Sequence, residues 1–227
     1  MNLRVVSLVP SATESLLALG VTPIACTRFC EQPGLPRVGG TKDPDIAAIV
    51  ELNPDVVVVN DEENRREDAD ALVAAGLTVH SMSPRTVDDV GPALAELARC
   101  VDKVAPRLEP LAPIARRGTA FTLLWRRPWM TQSGDTYGSS VLARLGWDNP
   151  FSADPDRYPV TDLTLLKDRP PDVVVLPSEP YPFAQRHVPE VAAAIPTARI
   201  VLVDGRDLFW WGSRTPAALA RLATVIR

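Results

Sequence analysis

The sequence predicts an α/β protein of two similar lobes, each a parallel sheet flanked by helices, joined by a helical linker. Three observations predict it. A block of sequence recurs at a fixed offset: Asp45 and Asp162, Pro54 and Pro171, and Glu62 and Glu179 are each 117 residues apart. Each copy ends in an unbroken apolar, mostly β-branched run, Val56-Val57-Val58-Val59 and Val173-Val174-Val175-Leu176, as expected of a strand covered on both faces. Strand and helix patterns alternate on either side of both copies, which argues for parallel pairing.

In chain order, residues 5–9 read as a strand and the stretch ending Leu17-Ala18-Leu19-Gly20 as a helix, with glycine where a C-cap wants positive φ. Ser11-Ala12-Thr13-Glu14 reads as a capping box: Ser11 caps the helix and Glu14 reaches back to the Ser11 N–H. The first copy then supplies a short helix from Asp45, the Pro54-Asp55 turn and a strand. Residues 72–75 read as helix and 78–82 as strand.

Residues 86–103 carry Val90, Leu94, Leu97, Ala98 and Val101 at helical spacing. Pro106, Pro110 and Pro113 forbid one continuous helix, so a second, broken helical stretch to about Arg116 is expected. The second lobe repeats the scheme. Residues 120–125 are a strand, a helix ends at Leu145-Gly146, and the second copy follows. Helix 188–195 and strand 199–203 come last. The expected boundaries are 1–84, 85–116 and 117–227.

Bulk composition excludes several classes. Of 227 residues, 46% are hydrophobic and 23% charged, with a net charge of −4 and no basic footprint for nucleic acid. No apolar run approaches the ~18 residues of a membrane span. The first residues read as a strand rather than a leader, so the expected location is cytoplasmic, or periplasmic or cell-surface if a leader was removed. Three cysteines, Cys26, Cys30 and Cys100, are an odd count that argues against a disulfide framework. His80 and His187 are the only histidines, too few for a converging metal site. No nucleophile elbow, catalytic triad order or full phosphate loop is legible, so no catalytic residue is expected.

In parallel-sheet proteins ligands lie beyond the carboxyl ends of the strands. The loops there hold Phe29, Trp125, Trp129, Tyr181, Phe183, Phe209, Trp210 and Trp211, in a chain that is only 6% aromatic. Aromatic faces suit a broad, flat ligand.

The opening Arg4-Val5-Val6-Ser7-Leu8-Val9-Pro10-Ser11-Ala12-Thr13-Glu14 resembles that of class III periplasmic binding proteins, the helical-backbone metal receptors, and is most like their vitamin B12-binding branch. Pro36-Arg37-Val38-Gly39-Gly40, the Asn53-Pro54-Asp55 turn and the tail 207–216 add to the likeness. The resemblance implies a ligand-binding protein, not an enzyme. It holds a corrinoid or related metal complex between two lobes as ligand and needs no cofactor. The alternatives are a haem, siderophore or metal-ion receptor of an ABC importer, or a small-molecule enzyme. It implies ligand contacts at Pro10, Ser11, Phe29, Trp129, Asp207, Leu208, Phe209, Trp210 and Trp211, with Asp207 as polar anchor. Glu62 and Glu179 become candidates for docking onto an ABC permease if the protein is exported. The expected partner is otherwise a small molecule, with neither nucleic acid nor membrane insertion, and the protein is expected to be a monomer.

Overall fold

Short β-branched runs lie side by side in two separate parallel sheets. The structure is a computed structural model that describes residues 3–108 and 112–227. The chain forms two compact units. One comprises Met1–Pro84, Asp88–Leu108 and Trp211–Arg214; the other comprises Arg85–Val87, Glu109–Trp210 and Thr215–Arg227.

The first unit contains β1 (Val5–Ser7), α1 (Pro10–Ala18), β2 (Ala25–Cys26), α2 (Ile46–Leu52), β3 (Val56–Val59), α3 (Arg66–Ala74), β4 (Val79–Ser81) and α4 (Val90–Cys100). Its four strands run parallel in the order β2-β1-β3-β4. All four residues of β3 are buried, as a central strand covered on both faces requires. Val6, Val57 and Val59 from the sheet and Leu8 just beyond β1 pack with Ile49 of α2 and Leu72 of α3. Each such side chain contributes roughly 1.5–3 kcal/mol by leaving water.

The second unit contains β5 (Gly118–Thr122), β6 (Trp129–Met130), α5 (Tyr137–Arg144), β7 (Trp147–Asp148), β8 (Val160–Thr161), β9 (Val173–Pro177), α6 (Val188–Ala194), β10 (Arg199–Val203), α7 (Gly205–Phe209) and α8 (Thr215–Val225). Its sheet is parallel in the order β10-β9-β5-β7, and β6 and β8 form a separate antiparallel pair. Phe121, Leu123, Val174, Leu176, Phe183, Val191 and Ile195 form its core.

The repeated Pro-Asp turn has the same task in both units. Asp55 Oδ2 accepts the Arg4 N–H at 2.7 Å, just ahead of β1. Asp172 Oδ2 accepts the Thr119 N–H at 2.7 Å, at the start of β5. Each aspartate thus clamps the neighbouring strand at its entry. The repeated helix starts match as well. Asp45 caps α2 by accepting from Ala48 N–H at 3.0 Å, and Asp162 caps a 3₁₀ turn at Leu163–Leu166 by accepting from Thr164 N–H at 2.8 Å.

Three local expectations are corrected. The capping box does not form, because α1 starts one residue earlier, at Pro10, with Val9 as its N-cap. Proline at the first helical position has its φ preset and lacks only an N–H that would be unpaired there anyway. Glu14 instead takes both its hydrogen bonds from Arg214, at 2.7 and 3.1 Å. The helix expected over 86–103 is confined to Val90–Cys100, and Asp102 just beyond it has a φ of 52°. No helix follows it among the described residues up to 116, since Pro106 and Pro113 lack the N–H a helix needs; Pro110 lies outside the described residues. The first unit includes α4 itself.

Candidate functional site

In the first unit, the loops beyond β1, β3 and β4 are tied together by two buried asparagines. Asn60 donates to the Met82 carbonyl at 2.6 Å and accepts from the Glu62 and Glu63 N–H groups at 2.7 and 3.0 Å. Asn64 accepts the Asn60 N–H at 2.9 Å and donates to the Leu8 and Thr41 carbonyls at 3.3 and 2.9 Å. The sequence reading missed both residues. Its only signal was an asparagine at each end of Asn60-Asp61-Glu62-Glu63-Asn64, a spacing suited to side-chain-to-backbone turns. Glu62 is half-buried on this rigid turn, and Lys42 donates to its carbonyl.

Beyond β2 the chain makes a turn that presents Phe29 at 52% exposure. The Arg28 guanidinium lies 4.9 Å from the Phe29 ring centroid and is held there by Asp43 at 2.8 and 3.0 Å. Pro10 is half-buried at the start of α1, whereas Ser11 is buried and its carbonyl accepts from the Ser15 hydroxyl at 2.9 Å.

In the second unit, the carboxyl ends of β5 and β9 carry an aromatic cluster. Trp125, 43% exposed, meets Tyr181 edge-on at 5.5 Å. Tyr181 packs on Phe183 at 4.7 Å, and Phe183 stacks on Trp129 at 6.4 Å with 8° between the rings. Such contacts fix ring orientation and add roughly 0.5–1.5 kcal/mol each beyond area burial. His187 closes the cluster from below. Its Nδ1 accepts the Ala184 N–H at 3.0 Å, and its Nε2 lies 3.5 Å from the Tyr181 hydroxyl. Burial holds its pKa below the ordinary histidine value, helped by nearby Arg186 and Arg126. Nδ1 therefore carries the lone pair, and the ring proton of the neutral imidazole sits on Nε2. Arg126 is itself paired with Glu190 at 2.8 and 3.2 Å. Glu179, half-buried, lies two residues past the end of β9.

The tail stretch begins as a single helical turn, Gly205–Phe209, which Asp204 caps by accepting the Arg206 N–H at 3.0 Å, and Trp210 leaves it with an extended backbone. Its residues accordingly divide. Asp207 is buried and held by Arg221 at 2.7 and 2.6 Å, so its carboxylate is already matched by a guanidinium. Leu208 has no exposed surface and packs as core. Phe209 and Trp210 are half-buried, and a Cβ added at Gly138 would come within 2.9 Å of the Phe209 ring. Trp211 is 6% exposed. The second unit brings Trp125, Tyr181, Phe183 and Trp129 together.

His80, in edge strand β4, faces Cys100 with Nδ1 3.3 Å from the sulfur, and its Nε2 is buried. Among the described residues no three His, Cys, Asp or Glu side chains converge to hold a metal ion, and no helix is long and apolar enough to cross a membrane.

No protein-family model matches the chain. It is 26% identical over 193 residues to a vitamin B12-binding protein of Photorhabdus laumondii, covering 77% of this chain and 70% of that one. It is 23% identical over 235 aligned positions to the vitamin B12-binding protein of Yersinia pestis, covering 95% and 82%. Among solved structures, the periplasmic vitamin B12-binding protein BtuF of Vibrio cholerae superposes with a TM-score of 0.78 at 19% identity, covering 98% of this chain and 96% of that one. The periplasmic haem-binding protein HutB of Vibrio cholerae follows with a TM-score of 0.73 at 20% identity, covering 98% of each chain. Both solved proteins are periplasmic, which gives the cytoplasmic expectation no support. The chain therefore has the fold of these periplasmic ligand-binding proteins and is similar in sequence to vitamin B12-binding proteins.

Proposed function

We propose that this chain is the substrate-binding component of an ABC importer and that its ligand is a corrinoid. The observation that carries the reading is the aromatic cluster at the carboxyl ends of β5 and β9, with Trp125 presented to solvent and its neighbours locked behind it. A preformed apolar surface of this kind captures a broad, flat molecule with little ordering cost. The sequence similarity to vitamin B12-binding proteins supports the same ligand class.

The histidines favour a corrinoid over haem. His187 has both ring nitrogens turned to protein partners, and His80 has one facing Cys100 and the other buried. Neither offers an open imidazole nitrogen to an iron, so a complex arriving with its own axial ligands fits better. In this reading the protein is exported, Glu62 and Glu179 dock onto the permease, and the ligand is carried without being turned over. Phe29 in the first unit, and Trp129, Phe209 and Trp210 in the second, are further proposed contacts.

The test is titration with cyanocobalamin and, separately, haemin, read by absorbance and tryptophan quenching. Saturable binding of cyanocobalamin at ~10 μM or below is expected. Binding of haemin alone would replace the corrinoid with haem. Binding of neither would overturn the reading.

A further inference from the structure

We propose that Cys26 and Cys30 are a disulfide-forming pair whose bond fastens the turn that presents Phe29. Cys26 ends β2, and Cys30 closes the turn beyond it, its N–H donating to the Thr27 carbonyl at 3.1 Å. One guanidinium nitrogen gathers both ends of this turn. Arg37 Nη1 lies 3.0 Å from Cys26 Sγ, 2.8 Å from the Cys30 carbonyl and 2.7 Å from the Thr27 carbonyl. Cys30 Sγ lies 3.1 Å from Thr13 Oγ1 and 3.3 Å from Thr27 Oγ1. The two cysteines are four residues apart, with the turn between them closed and the same Nη1 on the Cys26 sulfur and the Cys30 carbonyl. Cys100 is exposed and set against His80 instead. An odd count of cysteines speaks against a disulfide framework, but it leaves room for one local bridge with Cys100 left over.

Closing the bridge needs an oxidant, and a low-molecular-weight disulfide supplies it. One thiol loses its proton and attacks the disulfide, joining one half of it and releasing the other as a thiol. The second protein thiol then attacks the mixed disulfide and expels the remaining half. Two S–H bonds of the protein and one S–S bond of the oxidant are broken. One protein S–S bond and two small-molecule S–H bonds are formed. The protein loses two electrons and the oxidant gains them.

Both thiols are buried, so the oxidant gains access as the chain folds or when the turn opens. Burial, followed by the neighbouring Cys30, pushes the Cys26 thiol up to about 11, which slows exchange in the folded state. Phe29 and the stacked Arg28 sit inside the ring that the bond would close. A turn held by hydrogen bonds from Arg37 would thereby become one held covalently. The proposal does not rest on the identity of the ligand.

The experiment refolds the reduced full-length chain in buffer containing oxidised glutathione, and in parallel exposes the folded reduced chain to the same buffer. Free thiols are then blocked and the peptides mapped by mass. The refolded chain is expected to show one bridge joining Cys26 to Cys30, with Cys100 outside it, and the folded chain to acquire the bridge more slowly. Amide hydrogen exchange across residues 27–31 should slow in the bridged form. Recovery of both Cys26 and Cys30 as blocked thiols in the two arms, or a bridge that uses Cys100, would overturn the pairing. Unchanged exchange in a bridged protein would overturn the fastening of the turn.

Discussion

Trp125 and Phe183 belong to one aromatic cluster but answer to different forces. Trp125 is 43% exposed and Phe183 is 4% exposed. Trp125→Ala should lower the melting temperature little, with a cost of about 1 kcal/mol from the lost edge contact. It should weaken ligand binding by roughly 2–4 kcal/mol if it is a central anchor. Phe183→Ala should instead cost about 3–5 kcal/mol of stability, because its cavity lies inside the core of the second unit. Measuring affinity and melting temperature for both variants checks the division; equal stability losses would contradict it. Trp210 and Trp211 divide the same way. Trp211→Ala should lose about 3–5 kcal/mol of stability, while Trp210→Ala, half-buried, should act mainly on affinity.

His187 gives a pH prediction. Burial depresses its folded pKa below the value of about 6.5 that it regains on unfolding. Above that value both states are neutral and its protonation contributes nothing. As pH falls below it, the unfolded chain takes up a proton that the folded chain refuses, so stability declines until the folded pKa is reached. His80, also depressed mainly by burial, acts in the same direction. Chemical denaturation should therefore show weaker folding at pH 5 than at pH 7. His187→Gln, which keeps an acceptor for the Ala184 N–H, should flatten part of that slope. A slope unchanged in this variant would place the effect elsewhere.

At the scale of elements, the Pro-Asp turns are the physical content of the 117-residue repeat. Asp55→Ala and Asp172→Ala each strand an N–H at a strand entry, and each should cost about 1 kcal/mol. A melting temperature unchanged in both would show that water replaces the clamp without loss. The long strands and the repeat were legible in the sequence because unbroken β-branched runs and their offset do not depend on tertiary context. Elements β6, β7 and β8 were not legible, since two residues have no period to read. The start of α1 was misplaced because Ser11 and Glu14 satisfy a capping-box pattern that Pro10 pre-empts. The short tail helix was not legible either. Asp204-Gly205 caps a single helical turn, and five residues carry too little periodicity to separate that turn from an extended segment. The aromatic loops were recognisable by composition, but which aromatics would stay exposed depends on packing partners distant in sequence, as Trp125 and Tyr181 show.

For the whole molecule, the division into two units does not follow the order of the chain. Residues Trp211–Arg214 belong with the first unit although their neighbours on both sides belong to the second. The Arg214 guanidinium holds the Glu14 carboxylate, the Ser213 N–H donates to the Ser15 hydroxyl at 3.2 Å, and a Cβ on Gly212 would collide with that hydroxyl. A ribosome making this protein has therefore finished the sheet and helices of the first unit long before it makes the residues that complete the unit. Until residue 214 emerges, α1 waits with an unmatched carboxylate and an open face. A fragment ending at residue 108 should consequently be less stable than the same unit in the full chain, and a synthetic peptide spanning 205–216 should bind it. Limited proteolysis of the fragment with and without that peptide would reveal the difference. Natural truncations and cut-and-fuse designs that treat the first hundred residues as a free-standing module would inherit the same defect.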